Sequence, residues 1–190
     1  MDSVVNSENL NEEGSQPEVG FFEISKNKLL IMSIGTFGLY SLYWFYQNWC
    51  RYNQRENADT WPIARTIFSI FFMHSLCARI EAYFELKKGH APYDLNQYAT
   101  LYVLVCLTSF LPEPQNPSVA ILVGLIIAIV GVAGFTFVLV KIQNIINVAN
   151  GEGSTSINDK LTGINYVWLT LGGLFWLSCL ASAVFALSML

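Results

Sequence analysis

The chain has 190 residues, of which 53% are hydrophobic and only 13% are charged, against roughly 25% charged residues in an ordinary soluble domain. A chain this hydrophobic is not disordered throughout, and a formal net charge of −4 excludes an extended nucleic-acid surface, which needs a basic excess. A soluble globule would expose large apolar patches, so the composition predicts a small integral membrane protein that binds no nucleic acid.

Residues 1–20 form an acidic segment that contains no Lys or Arg and few apolar residues. Its acidic side chains are Asp2, Glu8, Glu12, Glu13 and Glu18. This composition favours a disordered tail, because too little apolar surface is present to offset the entropy of ordering the chain. The remainder, residues 21–190, is predicted to be one helical membrane domain.

The first uncharged run covers residues 29–49, whose 21 residues would form a helix of about 31 Å, close to a bilayer core of about 30 Å. Aromatic residues crowd its second half, as they do at membrane interfaces, although a lipid or quinone headgroup site is the sharper alternative. Gly35 and Gly38 allow a kink or close helix packing. The run is therefore predicted to span the membrane, with a re-entrant loop as the alternative.

A second helix is predicted over residues 62–88, with Asp59 or Thr60 as its N-cap and Gly89 ending it. The uncharged stretch 66–78 is too short to cross a bilayer core unaided. Apolar side chains fill much of the helix between two polar stripes, which is typical of an amphipathic helix at the membrane surface. A fifth, shallow span is the competing interpretation.

Three further spans are predicted at residues 95–111, 118–140 and 163–190, with Asp94 and Asn116 as caps of the first two. Together these patterns predict an all-α, polytopic membrane protein with about four transmembrane helices and one interfacial amphipathic helix. Small residues follow one face of the 118–140 helix and are expected to pack against Ser178 and Ser182 of the last span. These small residues are Ala120, Gly124, Ala128 and Gly131.

The 118–140 helix is expected to continue beyond the membrane and to end at Gly151. Its extension carries Gln143, Asn144 and Asn147. We interpret these residues as a solvent-exposed helix face, or alternatively as a stripe that docks a partner. Positive-inside counting then places residues 141–162 in the cytoplasm. Eight of the ten basic residues lie inside if 29–49 spans, all ten if it is re-entrant, and seven if 62–88 also crosses.

One part of the sequence resembles a known pattern. Residues 36–40 (TFGLY) and 43–49 (YWFYQNW), followed by Arg51, resemble the first hydrophobic segment of an uncharacterised domain-of-unknown-function family of small bacterial inner-membrane proteins. Trp61, Pro62 and Arg65 add to the likeness, which covers residues 21–85. The resemblance implies a multi-pass protein of the bacterial cytoplasmic membrane, and it implies no catalytic activity.

Candidate site residues are few. His74, Glu81 and Glu85 share one helical stripe and would line a polar path if the helix lay at membrane depth; a solvated helix face is the other interpretation. His74 and Glu81 are about 10.5 Å apart along the axis, too far to share a metal ion. Four basic side chains are predicted to contact lipid headgroups. They are Arg51, Arg55, Arg65 and Arg79.

No nucleotide-binding, hydrolase or metalloprotease motif occurs, so we predict no catalytic residue, cofactor or metal. The sequence therefore predicts a non-enzymatic membrane protein that binds, regulates or scaffolds other membrane components. Its expected partners are membrane lipid and either another membrane protein or a second copy of the chain. A small transporter or channel that uses the His74 stripe is the alternative, and a lipid-acting enzyme is the third possibility.

Overall fold

The computed structural model describes residues 19–151 and 158–189, and these residues form helices and connecting segments without a β-strand. The all-α prediction is thereby confirmed for the described residues. The helices are α1 Lys26–Gly35, α2 Tyr40–Glu56, α3 Pro62–Ile67, α4 Ser69–Lys88, α5 Leu95–Leu107, a short 3₁₀ helix Thr108–Phe110, α6 Pro117–Asn150 and α7 Gly163–Ser188. The predicted tail at 1–20 falls almost wholly outside the described residues, and residues 152–157 lie outside them as well.

Two helices in the described part, α6 and α7, are long and apolar enough to cross a membrane. α6 has 34 residues and is about 51 Å long. The Asn116 side chain accepts hydrogen bonds from the backbone N–H groups of Ser118 and Val119, as predicted for its N-cap, and the helix ends at Gly151 with φ 104°. α7 starts with a capping box between Thr162 and Asn165.

The prediction of one continuous helix over 29–49 is wrong, because α1 and α2 are separate helices joined by a turn. Phe37 and Gly38 have φ of 56° and 83°, and the Gly38 N–H donates to the Ser33 carbonyl at 2.7 Å. The chain reverses there, since the Phe22 N–H reaches the Asn48 side-chain oxygen at 3.2 Å. α1 and α2 form a hairpin, and α1 alone is only about 15 Å long.

Residues 62–88 are also divided, at Phe68, where φ is −97° and ψ is 35°. The predicted N-cap at Asp59 or Thr60 is wrong: the cap position is Trp61, without a side-chain cap. The Thr60 hydroxyl instead donates to the Asn53 side-chain oxygen at 2.5 Å. The predicted end is confirmed, because Gly89 terminates α4 with φ 82°.

The core surrounds the C-terminal half of α6, which contacts α1, α2, α4, α5 and α7. Fully buried side chains from five helices meet there; they include Leu29, Trp44, Leu76, Leu95, Leu139 and Ile142. Lys141 is tied to the loop before α5 by the Tyr93 hydroxyl, which donates to its carbonyl at 3.2 Å. Residues of α2, α4 and the loop before α5 are therefore held against α6.

The predicted contact between the small stripe of α6 and α7 is wrong. A Cβ atom added at Gly124 or Gly131 would meet nothing within 4 Å, and the stripe lines an open cavity of about 490 Å³ beside the α1–α2 turn. Ser178 and Ser182 are exposed. α7 contacts α6 elsewhere and also packs on α1, where a Cβ at Gly172 would overlap the Gly35 carbonyl oxygen.

Candidate functional site

Residues of three helices form a cluster in which two arginine side chains contact one tryptophan ring. Trp49 of α2 is fully buried. The guanidinium carbon of Arg65, on α3, lies 4.3 Å from the centroid of the Trp49 ring, and that of Arg79, on α4, lies 5.5 Å from it. Both contacts are within cation–π range. The break at Phe68 belongs to this arrangement, because it separates the helices that carry the two arginines. We call Trp49, Arg65, Thr66 and Arg79 the arginine–tryptophan cluster.

Neighbouring groups hold the two guanidinium groups. Arg65 also lies 5.0 Å from the Phe72 ring, and Arg79 lies 4.8 Å from the Tyr52 ring. Arg79 Nη1 donates to the Ser75 carbonyl at 2.9 Å. Burial lowers the pKa of Arg65, and the nearby charge of Arg79 lowers it further, against a smaller opposing effect of Tyr52. Two like charges are therefore close together in a partly desolvated place.

The cluster has polar atoms that the protein itself does not satisfy. Within the described residues, Trp49 Nε1, Arg79 Nε and Thr66 Oγ1 are buried and have no hydrogen-bond partner. No carboxylate of the described residues forms an ion pair with Arg65 or Arg79. Leaving a buried donor unpaired costs about 1–3 kcal/mol, so native proteins rarely retain such groups without a reason. Two cationic groups and an indole N–H would together suit an anion that carries several oxygen acceptors.

Large apolar side chains are exposed beside the cluster. Five of them, on α3, at its two ends and in the first turn of α4, are more than half exposed to the surroundings: Trp61, Ile63, Ile67, Phe68 and Phe71. An apolar surface next to basic groups is typical of a helix that lies in the membrane interface. The predicted amphipathic character of 62–88 is thus concentrated in α3 and the first turn of α4.

The other two predicted headgroup contacts are not part of the cluster. The Arg55 guanidinium is held between the rings of Phe21 and Tyr83, with its carbon 4.5 Å from each ring centroid, and its Nε pairs with Glu56 at 2.7 Å. Arg51 is partly exposed on the same helix. Arg55 therefore has a structural role, and only two of the four predicted arginines come together.

The predicted His74 stripe is not gathered into one site. His74 is exposed, and its Nε2 lies 3.2 Å from the Thr100 hydroxyl of α5. Glu85 is exposed and lies 3.8 Å from His90 Nδ1. Burial raises the pKa of Glu81, with further contributions from Asp94 and Glu85. In residues 19–151 and 158–189, no three His, Cys, Asp or Glu side chains are grouped as a metal site requires.

Sequence reasoning missed a buried amide network, because it interpreted Gln143 and Asn147 as a wet face. Both are buried. Trp44 Nε1 donates to Gln143 Oε1 at 2.6 Å, and Gln143 Nε2 donates to the Phe22 carbonyl and to Asn147 Oδ1 at 2.9 and 2.7 Å. Asn147 Nδ2 donates to the Ile24 carbonyl at 3.0 Å. The network holds the extended segment before α1 against α2 and α6.

The interpretation of the aromatic run 40–49 as an interfacial belt does not hold for its buried members. Trp44, Phe45 and Trp49 are fully buried in the core, whereas Tyr43 and Tyr46 are exposed. The buried amide network had one signal in the sequence: Gln143 and Asn147 are four residues apart, a spacing that places two amides on one face of a helix.

No protein-family model matches the chain, and neither a curated protein nor a solved structure matches it. The resemblance carried by residues 36–49 therefore stays a prediction.

Proposed function

We propose that this protein is a non-enzymatic membrane protein that binds anionic phospholipid headgroups at the cytoplasmic face of a bacterial inner membrane. The observation that carries the proposal is the arginine–tryptophan cluster, in which Arg65 and Arg79 contact one buried ring. A guanidinium group binds phosphate oxygens through parallel N–H bonds. The unpaired Trp49 N–H and Thr66 hydroxyl supply two further hydrogen-bonding groups.

The neighbouring apolar residues support a lipid as the source of the phosphate. Trp61 and Phe71 are 71% and 76% exposed, so α3 can insert its apolar side into the acyl boundary while the two arginines remain at headgroup depth. The cytoplasmic leaflet is anionic and attracts basic residues next to the membrane. Scaffolding of another membrane protein, transport and lipid chemistry stay predictions, without a contact in the described residues that favours them.

The proposal includes a membrane topology with three crossing helices. α6 and α7 cross, α5 with its 3₁₀ extension forms a short third span, and α3–α4 lies at the cytoplasmic interface. The α1–α2 hairpin enters from the cytoplasm and returns, with its turn at Gly38 beside Val132 of α6. This arrangement revises the predicted four spans and places all ten basic residues on the cytoplasmic side, in agreement with positive-inside counting.

The test is a titration of the purified chain with a water-soluble short-chain phosphatidylglycerol, followed by calorimetry, with the phosphatidylcholine analogue as the neutral lipid. We expect the R65M/R79M double variant to bind phosphatidylglycerol at least about tenfold more weakly, because charged hydrogen bonds are lost. The matched control is Arg51→Met, which removes a basic residue of α2 outside the cluster and should change affinity by less than about twofold.

Two further measurements make the result decisive. Inorganic phosphate as competitor separates recognition of the headgroup alone from recognition of the lipid, since only the lipid engages the apolar residues of α3. Thermal unfolding of each variant shows whether the fold is retained. Equal phosphatidylglycerol affinity of the wild-type chain and a folded R65M/R79M variant would overturn the proposal.

A further inference from the structure

A second cavity, of about 510 Å³, lies between the α1–α2 hairpin and the start of α7. This volume is within the range of small-molecule sites, roughly 300–1,000 Å³. The cavity shares no residue with the arginine–tryptophan cluster. Its lining combines one lysine with polar residues at the start of α7 and with apolar residues of the hairpin. The residues used in the argument below are Lys28, Met32, Leu42, Ile164, Asn165 and Trp168.

The polar end of this cavity contains a buried lysine. Lys28 is only 4% exposed, although lysine is almost never this buried unless it is paired. Its Nζ donates to Asn158 Oδ1 at 2.7 Å and to the Lys160 carbonyl at 2.8 Å. Both acceptors are neutral, and an ammonium group has three donors. One donor therefore remains for a further acceptor, although the Asp159 carboxylate already acts on the ammonium electrostatically.

The opposite end of the cavity, towards the hairpin turn, is lined by apolar and aromatic side chains together with Thr36, whose hydroxyl donates to the Met32 carbonyl. Met32 and Leu42 line it from the hairpin and Trp168 lines it from α7. This end approaches the hairpin turn, which lies beside Val132 and thus within the apolar part of α6. Given the topology proposed above, the lysine lies near the cytoplasmic interface and the apolar end lies deeper in the same leaflet. A ligand that fits both ends has one charged group and one hydrocarbon chain.

We propose that this cavity binds a long-chain fatty acid, with the carboxylate at Lys28 and the acyl chain between the hairpin and α7. The carboxylate accepts the remaining ammonium donor of Lys28. Asn165 accepts hydrogen bonds from Thr162 only through its side-chain oxygen, so its amide N–H groups are available to the same carboxylate.

The test uses the full chain in phosphatidylcholine vesicles and a diazirine-labelled long-chain fatty acid, with the matching diazirine-labelled fatty alcohol as the neutral probe. Photolabelled peptides are mapped by mass spectrometry. We expect the acid to label residues 28–43 and 162–168, and to label them about tenfold more than the alcohol does, because the alcohol cannot form the ion pair. Lys28→Met should remove this preference, whereas the control Lys26→Met, at an exposed neighbouring lysine, should keep it.

A second pair of variants covers the case in which Lys28→Met does not fold. Ile164→Trp fills the cavity from α7, and Val167→Trp adds the same ring at an exposed position of α7 that does not line it. Labelling should fall in the first variant only. Equal labelling by acid and alcohol, or labelling unaffected by Ile164→Trp, would overturn the inference. The vesicles hold no anionic phospholipid, and R65M/R79M should label normally, so this result is separate from that of the headgroup site.

Discussion

The two halves of α6 differ in what surrounds them. From Pro117 to Val130 no residue of the helix is buried, whereas eleven of the residues from Gly131 to Asn150 are, among them the amides Gln143 and Asn147. The first half is apolar on every side and is suited to lipid, which solvates its side chains as well as another helix would. The second half is packed as in a soluble core, where each buried polar group needs a partner.

This difference means that the same kind of substitution should have unequal effects along one helix. In the first half, a larger side chain extends into open space. In the second half, a substitution removes a specific side-chain hydrogen bond. Where α7 packs against the hairpin, a larger side chain overlaps backbone atoms of the neighbouring helix. The following predictions test that contrast, from the largest expected effect to the smallest.

Gln143→Leu is expected to be the most damaging change, lowering the free energy of unfolding by about 3 kcal/mol or more. It leaves Trp44 Nε1, the Phe22 carbonyl and Asn147 Oδ1 without the bonds that Gln143 makes. The measurement is reversible unfolding in mixed detergent micelles. Gln115→Leu, the same substitution at an exposed position before α6, is the control and should have little effect. Equal shifts in both variants would contradict the buried network.

Gly172→Ala should destabilise the protein by about 1–3 kcal/mol, because the added Cβ overlaps backbone that cannot move aside cheaply. The nearest atoms would be the Gly35 carbonyl oxygen at 2.0 Å and Thr36 Cα at 2.7 Å. The adjacent control, Gly173→Ala, meets nothing within 4 Å and should be neutral or stabilising, since Ala favours helix over Gly. If the two variants unfold alike, α7 does not pack on α1 at this point.

Gly124→Leu should change the free energy of unfolding by no more than about 0.5 kcal/mol, as at an ordinary surface position. Its side chain would enter the open cavity beside the hairpin turn. Gly134→Leu, ten residues further along α6, is the comparison, because a Cβ there lies 2.8 Å from the Val105 side chain. A large loss of stability at Gly124 would show that another molecule packs on the small-residue stripe.

Local chemistry accounts for the features that were predicted correctly. Asp94 and Asn116 cap their helices, and Gly89 and Gly151 end theirs. Each of these depends on a side chain and the backbone within a few residues of it, so the sequence contains the whole cause. The long apolar helices α6 and α7 likewise follow from a run of apolar residues in one stretch.

Local chemistry does not decide whether residues 29–49 form a membrane span or a hairpin. A span and a hairpin over 29–49 have the same hydropathy, and the glycines allow either. Thr36 helps to form the turn, since its hydroxyl donates to the Met32 carbonyl and accepts from the Tyr40 N–H. What stabilises the reversal is distant in sequence: the Trp176 indole N–H donates to the Ile34 carbonyl at 2.8 Å, across 142 positions. Sequence spacing carries no information about such a contact.

The sequence by itself determined the helical class, the two helices that are long and apolar enough to cross a membrane, and the helix ends with a local cap, because hydrophobicity and capping act over a few neighbouring residues. It predicted Arg51, Arg55, Arg65 and Arg79 as equivalent headgroup contacts and did not distinguish among them. Only the tertiary structure decided that these two share Trp49, that Arg55 is held by Phe21 and Tyr83, and that Gln143 is buried rather than wet. The physical reason is that a side chain's role depends on which distant groups the folded chain brings within contact, and in this protein the α1–α2 hairpin and its packing on α6 set those distances.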